Sequence, residues 1–228
     1  MMLLYHTIIC WGRGLNQRFL NKTSVLSMFA DKDEMAVLNR SDFLVCPYCG
    51  YAETGKGYFQ FIQQEHHMPS GRKCANKSLH KYSLGYRFET DVFQFVFPDH
   101  PLNISDTQTA FSTLYALIRG VIHTLDLEDD DIAGCLQSIN LGGAANVSFI
   151  LYDTTPGGAG HVRRLQENNA LYKAILSAWQ LMKQCNCGGT EGHASCYACL
   201  RTYRNQKLHD ILDRSLAIEY LNSILSSY

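Results

Sequence analysis

Residues 90–97, TDVFQFVF, place Val92, Gln94 and Val96 on one side of the chain and Phe93, Phe95 and Phe97 on the other. A period of two is that of a pleated strand, and Pro98 ends it because proline has no amide to give to a ladder. The period then changes. From Ser105 or Asp106 as N-cap, Ala110, Leu114, Leu117, Ile118, Val121 and Leu125 recur every three or four residues, which predicts a helix up to about Leu125. DLEDDD at 126–131 reads as an acidic linker or helix start, a solvated turn in preference to a carboxylate metal site. Past Gly142 and Gly143, NVSFILYD at 146–153 is short, apolar and rich in strand formers, which predicts a buried strand. It feeds TTPGGAG and a predicted helix from about His161 to Lys183, carrying Val162, Leu165, Leu171, Ile175, Ala178 and Trp179. A last amphipathic helix carries Leu208, Ile211, Leu212, Leu216, Ile218, Leu221 and Ile224.

The first third of the chain is less periodic. An amphipathic segment is expected around 23–29, and a short apolar run, 43–45, leads into a pair of cysteines. Residues 46–80 are rich in Gly, Cys, His, Lys and Gln without a sustained apolar period, so this stretch needs a metal ion in place of a core of its own. Strands and helices mix without a βαβ rhythm, which predicts an α+β fold with two zinc-stapled cysteine-rich modules. Three parts are expected: an N-terminal segment 1–42, whose abrupt apolar opening reads as the remnant of a longer protein, a zinc-knuckle module 43–80, and an α+β domain 81–228.

With 46% hydrophobic and 18% charged residues, the 228-residue chain is globular in composition, large enough for one or two domains. A formal net charge of −1 provides no global attraction to nucleic acid, so any such contact must come from local clusters of Arg and Lys. No run reaches the roughly 18 apolar residues of a membrane-spanning helix, and the opening lacks the basic flank of a signal peptide. Nine cysteines without an export signal point to metal binding in a reducing compartment.

Seven of the nine cysteines fall into two groups, while Cys10 and Cys135 read as ordinary buried thiols. Cys46-Pro-Tyr-Cys49-Gly50 has the C-x2-C spacing that lets two thiolates share one edge of a tetrahedron, with Gly50 turning the backbone behind them. Cys74 offers a third ligand and His66, favoured over its neighbour His67, the fourth. The second group, Cys185, Cys187, Cys196 and Cys199, is a complete four-thiolate set within fifteen residues. Zinc suits it as a closed structural site, although an iron–sulfur cluster would use the same ligands. Residues 50–56 also spell G-x-x-x-x-G-K, but position 57 is Gly where a P-loop needs Ser or Thr for magnesium, and a cysteine pair stands where the preceding strand belongs. The nucleotide reading is therefore rejected.

Two further features bear on function. In YDTTPGGAGHVRRL, 152–165, the amides around Gly157, Gly158, Gly160 and His161, with Arg163 and Arg164, suit an anion or nucleic acid. Equally, the glycines serve a sharp turn with Asp153 satisfying the loop amides. Downstream, Arg201, Arg204 and Lys207 with Tyr203 form either a phosphate-binding stripe on a helix face or a solvated face paired with Asp210 and Asp213. An enzyme using His161, or Cys196 with His193, lacks an orienting carboxylate, and thiolates committed to a metal are poor nucleophiles.

CPYCGYA, LGYRFETDVFQFVF, YDTTPGGAGHVRRL and CYACLRTYRNQKLHDILDR together resemble the MrfA-like zinc-binding domain found at the C-terminus of certain superfamily-two DNA helicases, closest to its version in DrmB of the DISARM anti-phage system. The resemblance runs from roughly Phe43 to the C-terminus. It implies a bacterial or archaeal cytoplasmic protein, with zinc on Cys185, Cys187, Cys196 and Cys199, that accompanies a DNA-translocating partner. Helicase ATP-binding motifs are missing from this sequence. The function expected is thus a non-catalytic accessory domain of a DNA-processing or phage-defence complex, contributing DNA or partner contacts, with a purely structural protein–protein adaptor as the alternative.

Overall fold

The computed structural model describes residues 7–10, 25–54, 61–103, 105–187 and 194–227. It is a mixed α+β fold, and it divides into two compact units, Met1–Ile9 with Met35–Arg87, and Cys10–Glu34 with Phe88–Tyr228. Both are discontinuous in sequence. A short strand β1 (Thr7–Cys10) precedes two long strands, β2 (Leu26–Val45) and β5 (Ser78–Val96), which contribute to both units.

In the smaller unit β3 (Ala52–Thr54) pairs antiparallel with the end of β2, Phe43 opposite Thr54, and β4 (Phe61–Gln63) pairs with the start of β5, Ile62 opposite Leu79. Its apolar cluster is small: Leu44, Cys46, Cys74 and Leu79, flanked by Tyr51, Ile62 and Met68. Two of those four buried side chains are thiols. With so little buried aliphatic carbon among its described residues, the unit gains from a further source of folding energy, as the composition of 46–80 implied.

The larger unit is built on the antiparallel pairing of β5 with β7 (Ala144–Asp153) and of β7 with β6 (Ile132–Leu141). The predicted strand 90–97 is the last part of β5, but both its faces are buried. Phe93, Phe95 and Phe97 are at most 2% exposed; Phe93 packs on Phe95, Phe95 stacks on Phe149 with centroids 5.6 Å apart, and Phe97 meets Phe149 and Tyr220 edge-on. Val92 and Val96 are equally buried, and Gln94 is satisfied by its Nε2 donating to Gln137 Oε1 and Ser148 Oγ. Each such phenylalanine contributes on the order of 1.5–3 kcal/mol over an exposed one. The β6–β7 loop is Gly142-Gly143, with φ of 59° and 91°, the left-handed pair that a two-residue hairpin requires.

Helix α1 (Thr107–Leu125) buries Ala110, Leu114, Leu117, Val121 and Leu125 as the spacing predicts. Its Asp106 accepts from Asn103 N instead of capping the helix, and the C-terminus stops at Asp126 in the left-handed region. The chain has no Cβ at Gly120, where one would lie 2.2 Å from the Ala174 carbonyl oxygen; α1 and α2 (Ala170–Gln184) meet there backbone to backbone.

Two predicted helices are corrected. The stretch expected to be helical from His161 to Lys183 is a 3-10 turn, Val162–Gln166, separated from α2 by Asn168 and Asn169, both at positive φ, which asparagine tolerates and a continuous helix does not. The last helix is likewise split. Tyr203–Leu208 is a 3-10 segment kinked at Asn205, and α3 (Arg214–Ser226) begins afresh at Asp213, whose Oδ1 accepts from Ser215 N. Strand β6 and most of β2 were not foreseen; DKDEMAVLNRSD lacks the alternation that marks a half-buried strand.

Candidate metal centres

The smaller unit brings together Cys46, Cys49, His66 and Cys74, and the larger brings together Cys185, Cys187, Cys196 and Cys199; in each set the ligand atoms lie within 4.8 Å of one another. These are the two groups singled out from spacing.

The first set sits on two loops that follow β2 and β4. Cys46 leaves β2, its amide donating to Tyr51 O at 2.8 Å and its carbonyl accepting from Gly50 N at 2.9 Å, and Gly50 turns the chain at φ 75°. The opposing loop is tied by Cys74 N to His66 O at 3.0 Å and turns at Gly71, φ 82°. His66 is fixed from three sides. Its Nδ1 lies 3.2 Å from Gln64 O and so is the donor, Tyr51 stacks on the ring at 4.7 Å, and Nε2 then faces Cys49 Sγ at 3.2 Å with its lone pair. A backbone carbonyl on the distal nitrogen is the usual way a metal-binding imidazole is oriented. His67 points elsewhere, its backbone bridging Lys73 and its side chain exposed.

The second set joins the end of α2 to the segment before α3. Cys185 is the first residue past α2, and Cys196 and Cys199 lie on one turn in which Cys199 N donates to Cys196 O at 3.2 Å. Cys185 Sγ is 3.6 Å from Cys196 Sγ, Cys187 Sγ is 3.5 Å from Cys199 Sγ, and Cys196 and Cys199 are 3.8 Å apart. Thiolates at about 2.3 Å from a tetrahedral zinc stand about 3.8 Å apart, so the donor set and its spacing fit that ion. His193 lies outside the described residues, as do Lys56 and Gly57 of the rejected P-loop pattern.

As bare thiols the groups in each set hinder one another. Burial raises Cys46, but amide bonds from Cys49 and Tyr48 and side-chain bonds to Cys49 and His66 outweigh it and bring it down to about 6, while burial leads in raising Cys74. In the second set burial again opposes ionisation, yet the Ala198 amide and the three companion sulfurs lower Cys196, whereas Cys187 and Cys199 are raised, burial first. A divalent cation removes this conflict, because four thiolates ionise together only around positive charge.

Arginines brace the second set, Arg214 and Arg119 through backbone carbonyls and Arg201 through a serine hydroxyl. Arg214 donates from Nη1 to Met182 O and from Nη2 to Cys187 O, Arg119 Nη2 donates to Tyr197 O, and Arg201 Nε donates to Ser195 Oγ. Arg214 was not anticipated. A cation in the first turn of a helix opposes the helix dipole, which is the sequence signal that it serves something other than the helix.

The glycine loop closes on itself. Asp153, fully buried at the end of β7, accepts from Ala159 N at 2.7 Å and from His161 N and Val162 N at 3.0 Å each. Gly157 N donates to Glu89 O and Gly158 N to Thr155 O. Gly158 also lies against Asp91, whose carboxyl is pushed up by burial, against the Lys32 amide, and further by Asp31 and Asp153. Of the amides expected to suit an anion, that of His161 is held by the internal Asp153 carboxylate and those of Gly157 and Gly158 by backbone carbonyls. The basic residues are placed differently from one another. Arg201 precedes the 3-10 segment and is turned inward, also reaching His209 O, Arg164 Nη2 donates to Leu125 O, and Arg204 pairs with Asp130 at 3.1 Å; Arg163 is exposed.

Residues 113–200 match the family model of the MrfA Zn-binding domain. That span contains the second cysteine set and the Asp153 loop. The fold is similar to that in the crystal structure of DUF1998 helicase MrfA bound to DNA, with a TM-score of 0.55 and 14% sequence identity over 98% of this chain and 26% of that one. The chain thus spans about a quarter of that helicase's length. No curated protein matches it in sequence. Segment 113–200 has the pattern of an MrfA-type zinc-binding domain, carried on an α+β fold with a second zinc-type ligand set outside that segment. Among the described residues no helix is long and apolar enough to cross a membrane.

Proposed function

We propose that the chain is a zinc-stapled accessory domain that works in the cytoplasm with a DNA-translocating helicase, as part of a DNA-processing complex or a phage-defence complex of the DISARM kind. It performs no catalysis alone; it presents a stiff surface to DNA or to the motor. The observation that carries this is the four-cysteine set closing the gap between α2 and the segment before α3 inside the matched span. A closed thiolate site has no open position for substrate, so its ion contributes folding energy instead of chemistry. The test is metal analysis with binding on the intact chain: two zinc ions per chain, and salt-sensitive DNA binding or co-purification with a helicase, support the reading. A metal-free chain that folds cooperatively overturns it.

A purely structural adaptor is favoured by one observation, the bonds that Arg164, Arg201 and Arg204 already make within the chain, to Leu125 O, Ser195 Oγ and Asp130. Co-purification with a helicase without any DNA affinity decides for it.

A further inference from the structure

The near-neutral total charge conceals a division. The smaller unit holds seven Lys and Arg against three Asp and Glu, which leaves thirteen against eighteen for the larger unit out of the chain's 20 and 21. In the larger unit Arg119 pairs with Asp129, Arg204 with Asp130 and Arg164 with the Leu125 carbonyl, while Arg163 is exposed. Among the described side chains of the smaller unit, Arg72, Lys73 and Lys77 are exposed. Lys73 and Lys77 share the single carboxylate of Glu65, at 2.7 and 2.8 Å, with all three side chains more than half exposed, so the pairs are screened by solvent and one positive charge remains over.

Next to this cluster the strand presents aromatic surface. Lys77 immediately precedes β5, and His80, Tyr82 and Tyr86 follow at even positions, on one face of the strand by its period of two. All three are exposed, Tyr82 at 48% and Tyr86 at 63%. Tyr48, at the tip of the first cysteine turn, is 72% exposed. A soluble protein leaves this many rings in water on one basic unit at a cost in solvation. A strand face of exposed rings in a unit that also carries exposed ammonium and guanidinium groups has the chemistry of a single-strand platform, on which bases stack and phosphates meet cations.

We propose that the smaller, first-cysteine-set unit binds single-stranded nucleic acid, with bases stacking on Tyr82 and Tyr86 of β5 and phosphates held by Arg72, Lys73 and Lys77. This rests on the proposed nucleic-acid role of the chain and assigns it a place other than the arginines of the larger unit. The first metal set then has a task, because it fixes the loop that carries Arg72 and Lys73 beside the strand.

Fluorescence anisotropy of the full chain with labelled oligothymidylate, and with a duplex of the same length, tests it across a salt series. Tyr82→Ala with Tyr86→Ala should weaken single-strand binding about tenfold for each ring removed, while the two Phe variants retain it. Lys73→Gln with Lys77→Gln should flatten the slope of log K against log salt by about 1.4. Zinc content of each variant, unchanged at the wild-type value, shows that the unit is still folded. Unchanged affinity in the folded tyrosine variant, preference for the duplex, or loss confined to Arg163→Gln with Arg204→Gln overturns this placement while leaving the nucleic-acid role standing. Failure of the wild-type chain to bind either probe overturns both.

Discussion

At the scale of single residues, Asp153 does the most. One carboxylate with three amide donors organises residues 153–162 into a fixed turn, and the alternation of glycine and small residues there follows from wrapping backbone around it. Asp153→Asn preserves shape but aims an NH2 group at one of those amides. It should cost roughly 2–4 kcal/mol in denaturant unfolding, as a buried charge-assisted site losing its acceptor does. Tyr115 offers a pH test. Burial first, then the neighbouring Cys135 thiol, raise its phenol to about 12. Since the folded group ionises later than the unfolded one at its ordinary 10.0, its contribution is complete below about 10 and is lost as pH rises towards 12. Tyr115→Phe should flatten that alkaline limb in unfolding curves measured from pH 9 to 12; an unchanged limb would assign it to other groups, Tyr220 among them.

Helices and strands here are defined by where they stop. Asn168 and Asn169 interrupt one predicted helix and Asp213 restarts another, and the second cysteine set occupies the gap between the end of α2 at Gln184 and the start of α3 at Arg214. The α1–α2 crossing depends on the missing side chain of Gly120. Gly120→Ala drives a methyl group into the Ala174 carbonyl and the Ala178 side chain and should destabilise by about 1–3 kcal/mol. Gly142→Ala, in an open turn with φ 59°, should cost about 1 kcal/mol from backbone strain alone. The ordering of these two values in thermal or chemical unfolding checks the helix contact.

For the whole molecule the consequence is that each unit has its own ligand set. Cys74→Ser should release one zinc ion and lower the stability of the smaller unit while the other ion stays bound; Cys199→Ser should do the reverse. Zinc stoichiometry with hydrogen exchange in the two units reads this directly, and loss of both ions from either variant would show that the sets are coupled.

Ligand chemistry was legible in the sequence because C-x2-C and C-x-C spacings constrain sulfur positions through local geometry alone, and the period of the 107–125 segment fixed α1 for the same reason. The Phe93–Phe95–Phe97 side of the 90–97 strand was equally visible. Which histidine faces the first set was narrowed, though not decided, by sequence, because His66 and His67 differ only in the fold that places Gln64 O behind one of them. The roles of Arg164, Arg201 and Arg204 were out of reach: a basic residue at helical spacing looks the same whether water or a carbonyl lies opposite. Nor did the near-zero total charge reveal a basic unit and an acidic one, since that division depends on β2 and β5 each serving two units and on segments distant in the chain being gathered into one. Local covalent spacing determines which atoms can share an ion, whereas the direction of a charged side chain is set by contacts between distant parts of the chain, and only the tertiary structure supplies those.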